Sequence, residues 1–150
     1  MTMIKQTRLW VLAAFMTLWA GLAWSAGGEE ELAPEIPAID EVREVIEAQL
    51  LAFQTSDGAG AFFHAAPGIQ SAFGGPEPFM AMVQRGYNVI YENNGWTFEE
   101  SRVDGDNAAQ IVTVEDATGR SIKVVYYLGR LSGFWKITGV QRIEDPGAAT

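Results

Sequence analysis

The amino-acid sequence predicts an α+β domain in which N-terminal helices pack on a curved antiparallel β-meander formed by the second half of the chain. Three observations carry this reading. Apolar residues recur at helical spacing from Ile39 to Phe53. From Tyr87 onward apolar and polar residues alternate instead. The alternating runs are separated by turn sequences such as Asp104-Gly105 and Ser132-Gly133, too short for anything but hairpins.

Asp40 to Gln54 is the clearest helix. At ~100° per residue, Ile39, Val42, Ile46, Leu50 and Phe53 fall within a stripe about 80° wide, with Glu41, Glu44 and Glu47 facing elsewhere. Asp40 or a neighbour is expected to cap the start, and Thr55 to Gly58 to end it. A second, short helix is expected over Gly60 to Ala66, stopped by Pro67-Gly68, then a glycine- and proline-rich loop over Ser71 to Pro78. A third helix runs from about Pro76 to Arg85, with Phe79, Met82 and Val83 on its apolar face.

Strands follow. Tyr87 to Tyr91 reads as a short one, with Asn93-Asn94-Gly95 as a turn. Trp96 to Val103, Ala108 to Glu115, Arg120 to Leu131 and Phe134 to Ile143 make the meander. Strict alternation puts Ile122, Val124, Tyr126 and Leu128 on one face of the third of these, and Trp135, Ile137 and Gly139 on one face of the fourth, with Gln141 and Ile143 beyond. The long first helix is the natural cover for the apolar face, and a curved sheet over a helix leaves a wedge between them.

The first 25 residues have the layout of a secretory signal. Lys5 and Arg8 precede the uncharged run Leu9 to Trp24, and Ala23 and Ser25 are the small residues before a cut. The run is shorter than the ~20 residues that cross a bilayer comfortably. Cleavage after Ser25 and a periplasmic or secreted destination are expected, with an uncleaved N-terminal membrane anchor as the alternative. Residues 26–37, rich in Gly, Glu and Pro, form a flexible acidic leader; 38–145 is the single domain; 146–150 is a tail.

Composition narrows the function. The formal net charge is −9, and all 19 acidic residues lie outside the signal segment. That balance argues against nucleic acid and against anionic lipid, both of which need clustered Lys and Arg. With no cysteine and one histidine, neither a disulfide framework nor a transition-metal site is expected.

Several residues carry a family resemblance. They are Gln49-Leu50-Leu51-Ala52-Phe53, Asp57-Gly58, the run Phe62-Phe63-His64-Ala65-Ala66-Pro67, Phe73-Gly74, Pro78-Phe79-Met80, Gly86-Tyr87 and the C-terminal Gly133 to Val140. Over about 40 to 145 the chain resembles the bacterial family catalogued as domain of unknown function 4864. That resemblance implies almost nothing about activity. The order of elements, separately, resembles the nuclear transport factor 2-like or cystatin-like cone.

In such a cone a pocket would form between helices and sheet, and six residues are candidates to line it: Gln49, His64, Tyr87, Glu100, Tyr126 and Trp135. His64 is the only candidate histidine base. Glu100 shares the Trp96 and Phe98 face by alternation, while its neighbour Glu99 faces the other way. Gln49 flanks the apolar stripe and is expected to hold the Asp57-Gly58 loop or strand backbone, or a ligand. Asp104, Asp106 and Glu115 match three positions of a calcium loop, but Ala108 and Ala109 break the pattern, so a hairpin turn is expected. No catalytic constellation and no cofactor signature is found. The expected function is a non-catalytic small-ligand-binding or accessory domain. An isomerase- or dehydratase-like enzyme using His64 or Glu100 is one alternative, and a protein–protein module is another; pairing of two copies through the sheet is expected on the fold alone. The export expectation is checked by the mass of the mature protein: an N-terminus at Ala26 is predicted, and one at Met1 in envelope fractions would contradict cleavage.

Overall fold

A computed structural model describes residues 36–144. The expected signal segment 1–25, all but the last residues of the leader, and the tail lie outside the described residues. Among the described residues, five helices precede a four-stranded antiparallel sheet of order β1-β2-β3-β4.

Helix α1 (Ala38–Gln54) begins two residues before Asp40, which sits in its first turn but does not cap it. The Pro37 carbonyl accepts from the Asp40 and Glu41 amides instead. Val42, Ile46, Leu50 and Phe53 are buried along one face, as the spacing requires. Helix α2 (Gly58–Phe63) starts earlier than expected because Asp57 caps it: its Oδ1 accepts from the Gly60 amide at 2.9 Å. A Cβ on Gly60 would strike that carboxylate.

Pro67 does not stop a helix; it opens one. Helix α3 (Pro67–Phe73) has proline in its first turn, where a missing N–H is harmless, and ends on Gly74 at φ +74°. The expected loop over Ser71 to Pro78 thus shrinks to Gly74 and Gly75, and α4 (Pro76–Gly86) follows.

Tyr87 to Tyr91 is not a strand. Asn88–Tyr91 forms a single helical turn, α5, with the Ile90 and Tyr91 amides donating to the Tyr87 carbonyl. Adjacent Val89 and Ile90 are both buried, which a half-buried strand forbids. Five residues are too few for the two periods to be told apart. Asn93 fixes the turn: its Nδ2 donates to the carbonyls of Ile90 at 2.8 Å and Leu50 at 3.0 Å. Asn93-Asn94-Gly95 is therefore no hairpin turn. It opens β1 (Asn93–Asp104), with an irregularity in register between Asn93 and Gly95.

Strands β2 (Asn107–Asp116), β3 (Ser121–Leu131) and β4 (Phe134–Arg142) lie within a residue or so of expectation. Their inner face buries Val112, Val114, Val124, Tyr126, Leu128 and Ile137 against the helices. Two irregularities re-aim side chains. In β1 the register shifts between Phe98 and Ser101. Buried Gln110 holds this bulge, its Nε2 donating to the carbonyls of Glu99 and Glu100 at 3.1 and 3.2 Å while Arg43 donates to its Oε1 at 3.1 Å. In β4 a shift opposite Tyr127 and Leu128 pairs Ile137 with Leu128 but Val140 with Tyr126. Val140 therefore turns inward, and Gly139 and Gln141 do not share the face of Trp135 and Ile137 as alternation implied.

The connector between α2 and α3 closes the structure at the free edge of β4. The Ile137 amide donates to the His64 carbonyl at 2.9 Å, and the Ala66 amide donates to the Ile137 carbonyl at 2.8 Å. At the far end, the buried carboxylate of Asp116 accepts from Thr118 and Arg120, and Arg120 reaches on to Asn88 Oδ1 at 3.0 Å, tying the β2–β3 turn to α5.

The hydrogen bond from the Thr118 hydroxyl, helped by backbone and Arg120 donors, holds Asp116 down at about 2, below its ordinary 3.8. A depressed carboxylate stabilises the fold at pH values above its ordinary range, and that contribution is lost as pH falls toward the folded value. Urea unfolding across pH is predicted to show wild-type stability falling between about pH 4 and 2. Asp116→Asn should be less stable at neutral pH, and its curve should meet the wild type's at the acid end. Parallel curves would contradict the assignment.

Candidate functional site

The wedge between α1 and the sheet is not filled. The helices α2 to α5 wrap its open side and leave a pocket of about 170 Å³. From α1 come Gln49 and Phe53, from the α2–α3 connector Ala65, from α4 Phe79 and Val83, and from α5 Ile90. The sheet contributes Tyr126 and Ile137. All of these are buried and form the floor and walls. Ile69, Phe73, Met82, Tyr87 and Val140, each partly exposed, form the rim. Among the described residues, no charged side chain lines the pocket.

Aromatic packing shapes the wall. Phe79 stacks on Phe53 at 6.4 Å between ring centres and meets Phe73 edge-on at 5.9 Å. Such offset and edge contacts stiffen a pocket beyond what their buried area alone supplies.

Three polar groups interrupt the apolar lining. Gln49 donates through Nε2 to the Ala61 carbonyl at 3.0 Å, so it holds α2, neither the Asp57-Gly58 loop nor a strand. Tyr87 donates from its hydroxyl to the Val140 carbonyl at 2.9 Å, the carbonyl that the β4 irregularity presents. Tyr126 is 0 % exposed, and among the described residues its hydroxyl has no hydrogen-bond partner. Burial, and then the neighbouring Tyr87, raise its pKa above the ordinary phenol value, so it stays a neutral donor at any physiological pH.

The structure thus brings Gln49, Tyr87 and Tyr126 to one pocket. The other three candidates do not line it. Glu100 is exposed on the β1 bulge, whose extra residue breaks the alternation that put it beside Phe98, and no residue of β1 lines the pocket. Its neighbour Glu99 accepts from the Thr113 hydroxyl and pairs with Lys123 at 2.9 Å on the outer face.

His64 and Trp135 line a separate, more open groove with Glu41, Phe63, Phe134 and Lys136. Lys136 donates to the Phe63 carbonyl at 2.7 Å and sits 3.6 Å from the centre of the Phe63 ring. Burial, and then the Lys136 charge, lower the pKa of His64, so its ring is neutral near pH 7. Trp135 Nε1 donates to Glu41 Oε2 at 2.9 Å, and Arg130 pairs with the same oxygen at 3.0 Å while lying over the Trp135 ring. These contacts fasten the β3–β4 hairpin to α1 and leave Trp135 no role in the pocket. The calcium-loop positions fall at the end of β1, on the following turn and on β2, and among the described residues no group of three His, Asp or Glu side chains is placed to hold a metal.

Beyond the six candidates, the lining takes in wall residues such as Phe79 and Ile137 and rim residues such as Ile69, Phe73 and Val140. Ile69 and Phe73, one helical turn apart on α3, were hidden by reading Pro67-Gly68 as a stop and Ser71 to Pro78 as a loop; their i, i+4 spacing was the available signal. Val140 was hidden by the β4 irregularity, for which the sequence offers no marker.

The description "Domain of unknown function (DUF4864)" belongs to a family model that matches residues 36–150. No curated protein matches the chain. Among solved structures, the fold is similar to an NTF-2 like protein of unknown function from Shewanella oneidensis MR-1, at 13% identity and a TM-score of 0.52, covering 71% of this chain and 98% of that one. It is also similar to an NTF2-like protein of unknown function from Shewanella baltica OS155, at 11% identity and a TM-score of 0.51, covering 75% of this chain and 99% of that one. These likenesses establish the nuclear transport factor 2-like fold.

Proposed function

The chain belongs to the DUF4864 family, and we propose that it is an exported, non-catalytic domain that holds a small apolar ligand in the pocket between α1, α4 and the sheet. The observation that carries this reading is the pocket itself: about 170 Å³, aromatic-walled and free of charged side chains. Apolar pockets with a few convergent polar groups are the usual form of small-molecule sites. A cavity of about 150 Å³ lined by aliphatic and aromatic groups is large enough for benzene.

The enzyme alternative needs a titratable group facing the ligand. Both candidates, His64 and Glu100, lie outside the pocket, and this favours binding over catalysis. Export is supported by the basic head, apolar run and small residues of the first 25 positions.

Thermal unfolding of the purified domain with toluene, indole and similar ring compounds tests the reading. Saturation to 100-fold above the dissociation constant is predicted to raise the midpoint by on the order of 10 °C. Ile69→Trp, a substitution at a half-exposed rim position, should leave the unliganded midpoint nearly unchanged and abolish the shift. The reading fails if no ring compound shifts the midpoint, or if Ile69→Trp responds as the wild type does.

A further inference from the structure

Tyr126 presents a problem that the apolar pocket alone does not solve. Buried polar groups in native structures are almost always hydrogen-bonded. Tyr126 is 0 % exposed, yet its hydroxyl finds no partner among the described residues. A phenylalanine would fill the same space without that penalty. Tyr126 is one of the residues that line the pocket, and a ligand there can supply the missing bond.

Gln49 supplies the complementary half. The Ala61 carbonyl can only accept, so the amide nitrogen of Gln49 must point to it. That assigns the amide nitrogen and leaves Oε1 as a free acceptor on a residue that lines the pocket, with no donor to it among the described residues. Tyr87 is different: its proton is already committed to the Val140 carbonyl. Beside the oxygen lone pairs of the two tyrosines, the pocket therefore offers a ligand one free donor, Tyr126 Oη, and one free amide acceptor, Gln49 Oε1.

We propose that the pocket selects an uncharged ring compound bearing a hydroxyl group, which accepts from Tyr126 Oη and donates to Gln49 Oε1. A hydroxyl is the smallest group that does both at one atom. A carboxylate can accept but not donate, and it would enter a pocket with no cation to pair with. The ring is called for by the stacked wall of Phe53, Phe79 and Phe73. The proposal rests on the pocket being a binding site and adds what the site recognises.

Calorimetric titration with four probes of matched shape tests it: p-cresol, p-xylene, 4-methylanisole and p-toluate. On the wild type, p-cresol is predicted to bind about tenfold more tightly than p-xylene, the factor that one satisfied buried hydrogen-bonding group supplies. 4-Methylanisole, which accepts but cannot donate, should fall between them, and p-toluate should bind at least ~100-fold more weakly than p-cresol. In Tyr126→Phe the preference of p-cresol over p-xylene should shrink to about twofold or less, with the fold retained by near-ultraviolet circular dichroism.

Equal affinity of p-cresol and p-xylene for the wild type would overturn the proposal while leaving the pocket a binding site; a water held between Tyr126 and Gln49 would give that result. A preference that survives Tyr126→Phe, or tight binding of p-toluate, would also overturn it. If Tyr126→Phe does not fold, the hydroxyl already has an essential protein partner and the proposal is wrong. If no probe binds at all, the binding reading and this one fall together.

Discussion

One apolar ridge on α1 and one apolar sheet face must bury each other, and everything else in the structure is arranged around that. Val42, Ile46 and Leu50 are fully buried on the helix, as are Val112, Val114, Val124 and Tyr126 on the sheet. Neither surface could be left in water, since each buried aliphatic side chain is worth roughly 1.5–3 kcal/mol relative to exposure. A helix is straight and a twisted sheet is not, so the two cannot stay in contact along their whole length. Where they part, toward the C-terminal half of α1, Gln49 and Phe53 face a pocket in place of the sheet. The short helices α2 to α5 fill the resulting wedge from its open side without closing it.

Polar groups then set the finer geometry. Gln110 spends one buried amide on two bulge carbonyls of β1 and is itself aligned by Arg43 of α1. Asn93 ties the end of α1 to α5, and Gln49 ties its middle to α2. Each long-range tie runs from the central helix to an element that borders the pocket or bends the sheet. A helix with apolar contacts alone could slide or rotate by a fraction of a turn; these bonds fix one position.

The layers were legible from the residues because they depend on period. The stripe from Val42 to Phe53 has one helical reading, and Ile122 to Leu128 has one strand reading. Short elements were not legible. Tyr87 to Tyr91 fits both periods, and Pro67 serves as well to open a helix as to end one. The candidate site was half legible for a related reason. Tyr126 and Gln49 lie on long, regular elements whose facing follows from counting. Glu100 and Val140 lie beyond irregularities, and one extra residue reverses the face of everything after it. His64 was expected within the second helix, but it lies in the connector after α2, where the backbone pairing of His64 and Ala66 with Ile137 turns Ala65 toward the pocket. That pairing is a tertiary contact between segments some 70 residues apart and leaves no local trace.

The ridge is tested most directly at Ile46, which is fully buried, borders neither pocket nor groove, and makes no polar contact that a substitution would disturb. If α1 is roofed by the sheet, Ile46→Ala leaves a cavity that the surrounding strands cannot fill, and urea unfolding should register a loss of about 2–5 kcal/mol. A loss below about 1 kcal/mol, the range of surface substitutions, would mean that this face of the helix is not buried against the strands.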